Sequence, residues 1–206
     1  MSVSKTNICN QALFHLKNSK TLTDVDTDTS LQASVFLAFY DDVLEEMLRE
    51  FEWPFAKRIA SLALVETDPA DGVEWGFSYR WPSDAIKARY IVDGNMDPSV
   101  QYPRISFEVG GDDTGRLILT NEEDASLAYT KLVDDVTVMS PKFRKALSLR
   151  LAMEAAPTLA GSDQAGMALG QLAERNYRSA MSEAKAEYLN ERQSDNPRES
   201  EFIEGR

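Results

Sequence analysis

One histidine and one cysteine bound the chemistry open to this chain, because His15 and Cys9 are the single examples of their types in 206 residues. A lone cysteine excludes a disulfide framework and a cysteine-built zinc site. A lone histidine excludes a His-rich metal site and makes any Ser-His-Asp arrangement depend on His15. That residue has no acidic neighbour at ligand or general-base spacing, so it reads as structural. Asp24, Asp26 and Asp28 alternate as calcium ligands do. An EF-hand loop starting at Asp24 would need Gly at Thr29 and Glu at Val35 and has neither, which leaves a helix-capping loop. Gly110 to Gly115 is rich in glycine but lacks the Gly-Lys-Ser/Thr ending and a following helix. Asp112 and Asp113 within it would repel phosphate, so a hairpin turn is the expectation. Asp41/Glu45 and Glu122/Glu123 could serve as acid–base pairs, but such pairs are scattered, as in any strongly acidic chain. Trp75, Phe77, Tyr79 and Trp81 alternate like a base-stacking or sugar-binding strip. Only Arg80, Lys87 and Arg89 lie near them, so a sheet packing its aromatic face onto helices is the better reading.

The composition narrows the class. Lys plus Arg number 22 against 34 Asp plus Glu, giving a formal charge of −12. A positive field is what DNA-wrapping and membrane-surface proteins need, and this chain carries the opposite sign. An acidic wall would still let a duplex slide past without sticking. Hydrophobic residues at 43% and charged residues at 27% are globular values and exclude a disordered chain. Met1 to Asn10 has no apolar core of the signal-peptide kind, and no stretch reaches the roughly 18 apolar residues of a membrane span. The expectation is a soluble protein made in a reducing cytoplasm.

The elements that must position these residues fall into three blocks. Ile8, Ala12, Leu13 and Leu16 recur at helical spacing and predict a helix over Thr6 to Asn18, capped by Ser4 or Thr6. Leu31, Val35, Ala38, Phe39, Val43, Met47 and Phe51 predict a second helix from Ser30, closed by Pro54. The middle changes period, with strands expected at Lys57 to Glu66, Trp75 to Pro82, Ile86 to Val92, Arg104 to Val109, Arg116 to Thr120 and Leu127 to Val133. Their connections are too short for helical crossovers, so the pairing is antiparallel. Ser140-Pro141 starts a third helix, kinked or weakened at Pro157 and broken at Gly161. A fourth spans Gln164 to Asn190, with a polar end from Lys185 expected to project from the body. The predicted fold is α+β, mainly α. It is a four-helix bundle with a small antiparallel β region inserted between its second and third helices. One domain would cover residues 1–190, with the bundle at 5–53 and 140–190, the insertion at 57–133 and an extended arm at 191–206.

Certain runs carry a resemblance. Phe51-Glu52-Trp53-Pro54-Phe55-Ala56-Lys57-Arg58 is followed by Trp75-Gly76-Phe77-Ser78-Tyr79-Arg80-Trp81-Pro82-Ser83-Asp84, by Leu127-Ala128-Tyr129-Thr130, and by Ser140-Pro141-Lys142-Phe143 before Ala-rich helices. In order and spacing, from about Ile8 to Leu189, the chain resembles the tail tubular protein A family of short-tailed bacteriophages, the head–tail adaptor or gatekeeper proteins. It departs at Trp81, Ala85 and Ile86, where the family pattern has Leu, Cys and Leu. Ser200 to Arg206 is similar to the family's short tail finishing in Arg, although Ile203-Glu204-Gly205-Arg206 also matches an engineered protease site.

The resemblance implies a structural virion protein at the head–tail interface, made in the host cytoplasm. Its partners would be the portal protein, the tail nozzle (a tail tubular protein B-like protein) and further copies of itself in a dodecameric ring. DNA would pass through the ring without specific binding, and no membrane is involved. The family supplies no catalytic, cofactor-binding or metal residues, and no cofactor. Its C-terminal arm embraces the portal, which makes Arg198, Phe202, Ile203 and Arg206 the candidate portal-binding residues, the apolar pair serving as anchor. The rival readings are a helical protein–protein interaction module outside any virus and a hydrolase working through acidic residues. Convergence of carboxylates on one pocket is the feature that would favour the hydrolase.

Overall fold

The computed structural model describes residues 3–69, 74–92 and 105–191. Ser4 caps the first helix, α1 (Lys5–His15), by accepting from the Asn7 N–H at 3.2 Å. Thr6, the other candidate cap, instead accepts from Val25 N at 3.1 Å and ties down the following loop. Helix α1 ends three residues before its predicted limit. Lys17 adopts a left-handed φ of 56°, Asn18 N donates to Leu13 O, and Lys17 N donates to Phe14 O. That pair of bonds is a Schellman closure, which consumes carbonyls a longer helix would have used. Helix α2 (Leu31–Glu50) starts at Ser30, whose hydroxyl accepts from Ala33 N. After it come a 3₁₀ turn at Pro54–Ala56 and seven strands: β1 (Lys57–Ser61), β2 (Leu64–Thr67), β3 (Phe77–Arg80), β4 (Ala85–Val92), β5 (Phe107–Asp112), β6 (Gly115–Thr120) and β7 (Ser126–Lys131). Two further helices close the described chain, α3 (Pro141–Leu159) and α4 (Asp163–Glu191).

This architecture corrects the four-helix bundle with a small β insertion. The β region forms two antiparallel sheets, one of three strands in the order β1-β7-β4 and one of four in the order β2-β3-β6-β5. Helix accounts for 47% and strand for 23% of the described residues. The predicted strand over Lys57 to Glu66 is in fact two, because the chain changes sheet at Leu62–Ala63. Leu62 N donates to Ala125 O beside the first sheet, and Ala63 O accepts from Arg80 N in the second. Alternation of side chains cannot register such a switch, since both halves keep their period of two. The sheets have their own core of Tyr79, Ile91, Ile118, Ala125, Leu127 and Tyr129. Of the aromatic strip, Phe77, Tyr79 and Trp81 therefore pack in this core between the sheets and not onto the helices as expected.

Among the helices, α3 is the hub, packing on α4 most extensively and then on α1 and α2. Small residues let α3 and α4 approach closely. A Cβ placed on Gly166 would sit 3.0 Å from Ala156 O, and one on Gly170 would sit 3.5 Å from Ala156 Cβ. Pro157 lies inside α3, which runs only to Leu159. So near the end, the proline removes one backbone bond without stopping the helix earlier. No described helix is long and apolar enough to cross a membrane.

Candidate functional site

At the C-terminal end of α2 the helices meet the sheets. A helix leaves its last four carbonyls without intrahelical partners, and the end carries partial negative charge. In α2 those carbonyls belong to Met47, Leu48, Arg49 and Glu50, and side chains from other elements answer three of them. Trp53, fully buried, turns back so that its indole N–H donates to Met47 O at 2.8 Å. Arg89 on β4 extends Nη2 to Leu48 O at 3.1 Å, to Arg49 O at 3.2 Å and to Phe51 O at 2.6 Å. Its Nε donates at 2.7 Å to Thr130 Oγ1 on the central strand β7. Lys87 adds a bond from Nζ to Arg49 O at 2.9 Å. Two cations from one strand thus sit at the negative end of one helix. Burial lowers the pKa of both side chains, and for Lys87 the neighbouring Arg89 and Arg49 charges lower it further.

The far ends of α3 and α4 close on the same place. Trp53 lies edge-on to Phe143 and to Tyr188 with centroids 4.8 and 5.3 Å away, and Phe55 lies 5.1 Å from Phe143. The Tyr188 hydroxyl accepts from Ser140 N, the N-cap residue of α3, at 3.1 Å. Glu50, the last residue of α2, accepts from Lys185 Nζ at 2.7 Å and from the Tyr177 hydroxyl at 3.2 Å. The polar end of α4 therefore does not project as expected. Its Lys185 docks on Glu50 of α2, and Tyr188 is buried against Trp53 and Phe55. On the sheet side of this joint, Asp84 holds Arg58 at 2.8 Å and accepts from the Tyr129 hydroxyl at 2.8 Å. Burial pushes the Asp84 pKa up, but these two donors outweigh it and the net direction is down.

The other sequence candidates are spent locally. Asp24 accepts from Asp26 N and the Thr27 hydroxyl, and Asp28 accepts from Ser30 N, so both shape the loop before α2. Gly110 and Gly111 belong to β5, and the turn shrinks to Asp113–Thr114, ahead of Gly115 at φ 141°. Arg80 grips Asp112 through both nitrogens at 2.9 Å and, with Thr114, holds its carboxyl far below the usual range. Glu45 pairs with Arg49 at 2.6 Å. The aromatic alternation is divided between environments. Phe77 and Tyr79 face the sheet core. Trp75 donates to Glu108 at 3.0 Å, while Trp81 donates to Ala85 O and carries Arg116 stacked 3.9 Å from its ring centroid. Cys9 is fully buried, and that burial pushes its thiol up to about 12.

His15 lines a cleft of about 280 Å³ with Lys145, Leu149, Asn176, Ser179, Ala180 and Glu183. Its Nε2 lies 3.3 Å from Ser148 Oγ. Ser148 is fully buried and donates to Lys145 O at 2.8 Å, so the histidine is the donor and the serine proton is not free for attack. Burial and then the Lys145 charge lower the His15 pKa, which favours the neutral ring.

Arg198, Phe202, Ile203 and Arg206, the expected portal-binding residues, lie outside the described residues. The sequence reading missed Arg89, Lys87 and Tyr188 as joint residues. The available signal was two cations at i and i+2 on one strand that also carries buried Ile86 and Ile91. Charges at that spacing beside buried positions call for a specific acceptor. No family model matches the chain, and no curated protein matches it.

Proposed function

We propose that this chain is a structural virion protein, a head-to-tail adaptor. It forms a ring beneath the portal, connects the portal to the tail nozzle and surrounds the channel through which DNA leaves. The reading comes from the order and spacing of the family-like stretches. One observation supports it above the others. The stretches that carry the resemblance, far apart in sequence, touch one another in two clusters that the first stretch links. Trp53 and Phe55 of the first pack on Phe143 of the last, and Arg58 of the first and Tyr129 of the third both bond Asp84 of the second. Residues that specify how the helices meet the sheets are what a shared architecture would keep in register. The C-terminal part of α4 is held at this joint through Lys185 and Tyr188.

The test is the native mass of the protein mixed with purified cognate portal rings. A discrete complex holding close to one dodecamer of this chain per portal is the expected result, and a chain ending at Glu191 should lose it. Only free protein beside an intact portal would overturn the adaptor reading.

A further inference from the structure

The grip of Arg89 on α2 is over-subscribed on one side and idle on the other. Its Nη2 carries two hydrogens and faces three carbonyls, Leu48 O, Arg49 O and Phe51 O, at 3.1, 3.2 and 2.6 Å. Among the described residues Nη1 makes no hydrogen bond, although it carries two hydrogens of its own. The acceptors form a row at the frayed end of a helix, so the guanidinium can move along it and exchange one carbonyl for another at little net cost. The apolar link between the layers is made of a few residues, with Ala56 just ahead of β1 and Val133 just after β7 beside Ile86. Ile86 is the β4 residue that belongs to the helical core, whereas Ile91 of the same strand belongs to the sheet core. A contact made of a few apolar residues and several exchangeable polar bonds permits rotation more readily than a continuous apolar seam would.

The same turn of α2 is also held by α4. Lys185 and Tyr177 bond Glu50, and Tyr188 packs on Trp53, whose indole holds Met47 O. We infer that the last turn of α2 is a movable joint in which the final turns of α4 set where Arg89 sits on the carbonyl row, and thereby the tilt of the sheets on the helices. Loading or releasing the end of α4 then changes that tilt. The joint stands on these contacts alone and does not depend on the adaptor reading.

Distance measurement between the two layers tests it in the full chain. Cysteines introduced as Gln171→Cys on α4 and Thr67→Cys on β2 accept spin labels at exposed positions. Cys9 stays silent because it is fully buried and its thiol is pushed up to about 12. Lys185→Gln removes the ion pair to Glu50 without opening the core. Arg178→Gln removes an exposed pair with Glu174 on the same helix, outside the contacts made to Glu50 and Trp53. The expected result is a shifted or second distance population in Lys185→Gln and an unchanged distribution in Arg178→Gln. Identical distributions in all three proteins would mean a rigid brace and overturn the joint. A shift of equal size in both variants would mean a general response of α4 and overturn it as well. Thermal unfolding of each labelled variant verifies that it is folded at the temperature of measurement.

Discussion

The helical layer and the sheet layer solve the same problem by different means. The helices share one broad apolar core, running from Ile8 and Leu13 through Phe36, Leu44 and Met47 to Leu147 and Leu151, and sealed by the Trp53 cluster. The α3–α4 contact within it is close because Ala156, Gly166 and Gly170 are small. The sheets bury a smaller set and rely on directed polar bonds to fix it. The Tyr79 hydroxyl donates to Glu122 O at 2.9 Å, the Tyr129 hydroxyl donates to Asp84 at 2.8 Å, and Arg80 with Asp112 spans β3 to β5. Apolar area supplies stability without direction, whereas hydrogen bonds between fixed groups supply direction with a modest net gain. The contrast teaches that the two layers need not be equally stable. The sheet layer is the one expected to open first, although it is the better specified in geometry.

Two truncations break the comparison most strongly. Trp53→Ala should cost about 3–5 kcal/mol, because it empties the aromatic cluster and leaves Met47 O without its donor. Leu127→Ala, in the sheet core, should cost about 2–5 kcal/mol. Amide exchange separates them. Trp53→Ala should lower protection in every element. Leu127→Ala should release β3, β6 and β7 while α3 keeps its protection. Parallel loss in both variants would show that the two cores unfold as one unit.

A smaller effect sharpens the comparison on the helical side. His15 joins α1 to α3 while neutral, with its pKa lowered by burial and by Lys145 from the 6.5 of the unfolded chain. A group whose folded pKa lies below its unfolded value takes up protons more readily when unfolded. Stability is therefore complete above about pH 6.5 and declines as pH falls from there through the lower folded pKa. His15→Gln should flatten that decline, which denaturant titrations between neutral and mildly acidic pH would measure. An equally steep decline in the variant would assign the acid sensitivity elsewhere.

The smallest effect concerns Tyr40, which is 2% exposed and whose hydroxyl has no hydrogen-bond partner among the described residues. Removing an unsatisfied buried hydroxyl costs nothing in bonds. Tyr40→Phe should leave unfolding free energy within about 0.5 kcal/mol of the parent or raise it. A loss well beyond that in the same denaturant assay would mean that the hydroxyl is satisfied by an ordered water.

The sequence by itself determined the local elements. Helical spacing located α2, α3 and α4, Ser30 and Ser140 were legible as caps, and alternation marked the strands in their order. These are properties of neighbouring residues, and near-neighbour physics suffices to read them. Even there, the end of α1 was set by the left-handed Lys17, a conformation no residue type in that stretch announces. Only the tertiary structure decided that the strands divide into two sheets with a private core, because strand pairing joins residues far apart, such as Arg58 with Tyr129 and Tyr79 with Ile118. It also decided the joint. Arg89 and Lys87 look like ordinary strand cations until the carbonyls of α2 stand opposite them. The polar end of α4 reads as solvent-facing until Glu50 and Trp53 meet it. The physical reason is common to both cases: a charge or a hydroxyl is placed by its acceptor, and here the acceptors are backbone atoms and side chains that the fold brings from elsewhere in the chain.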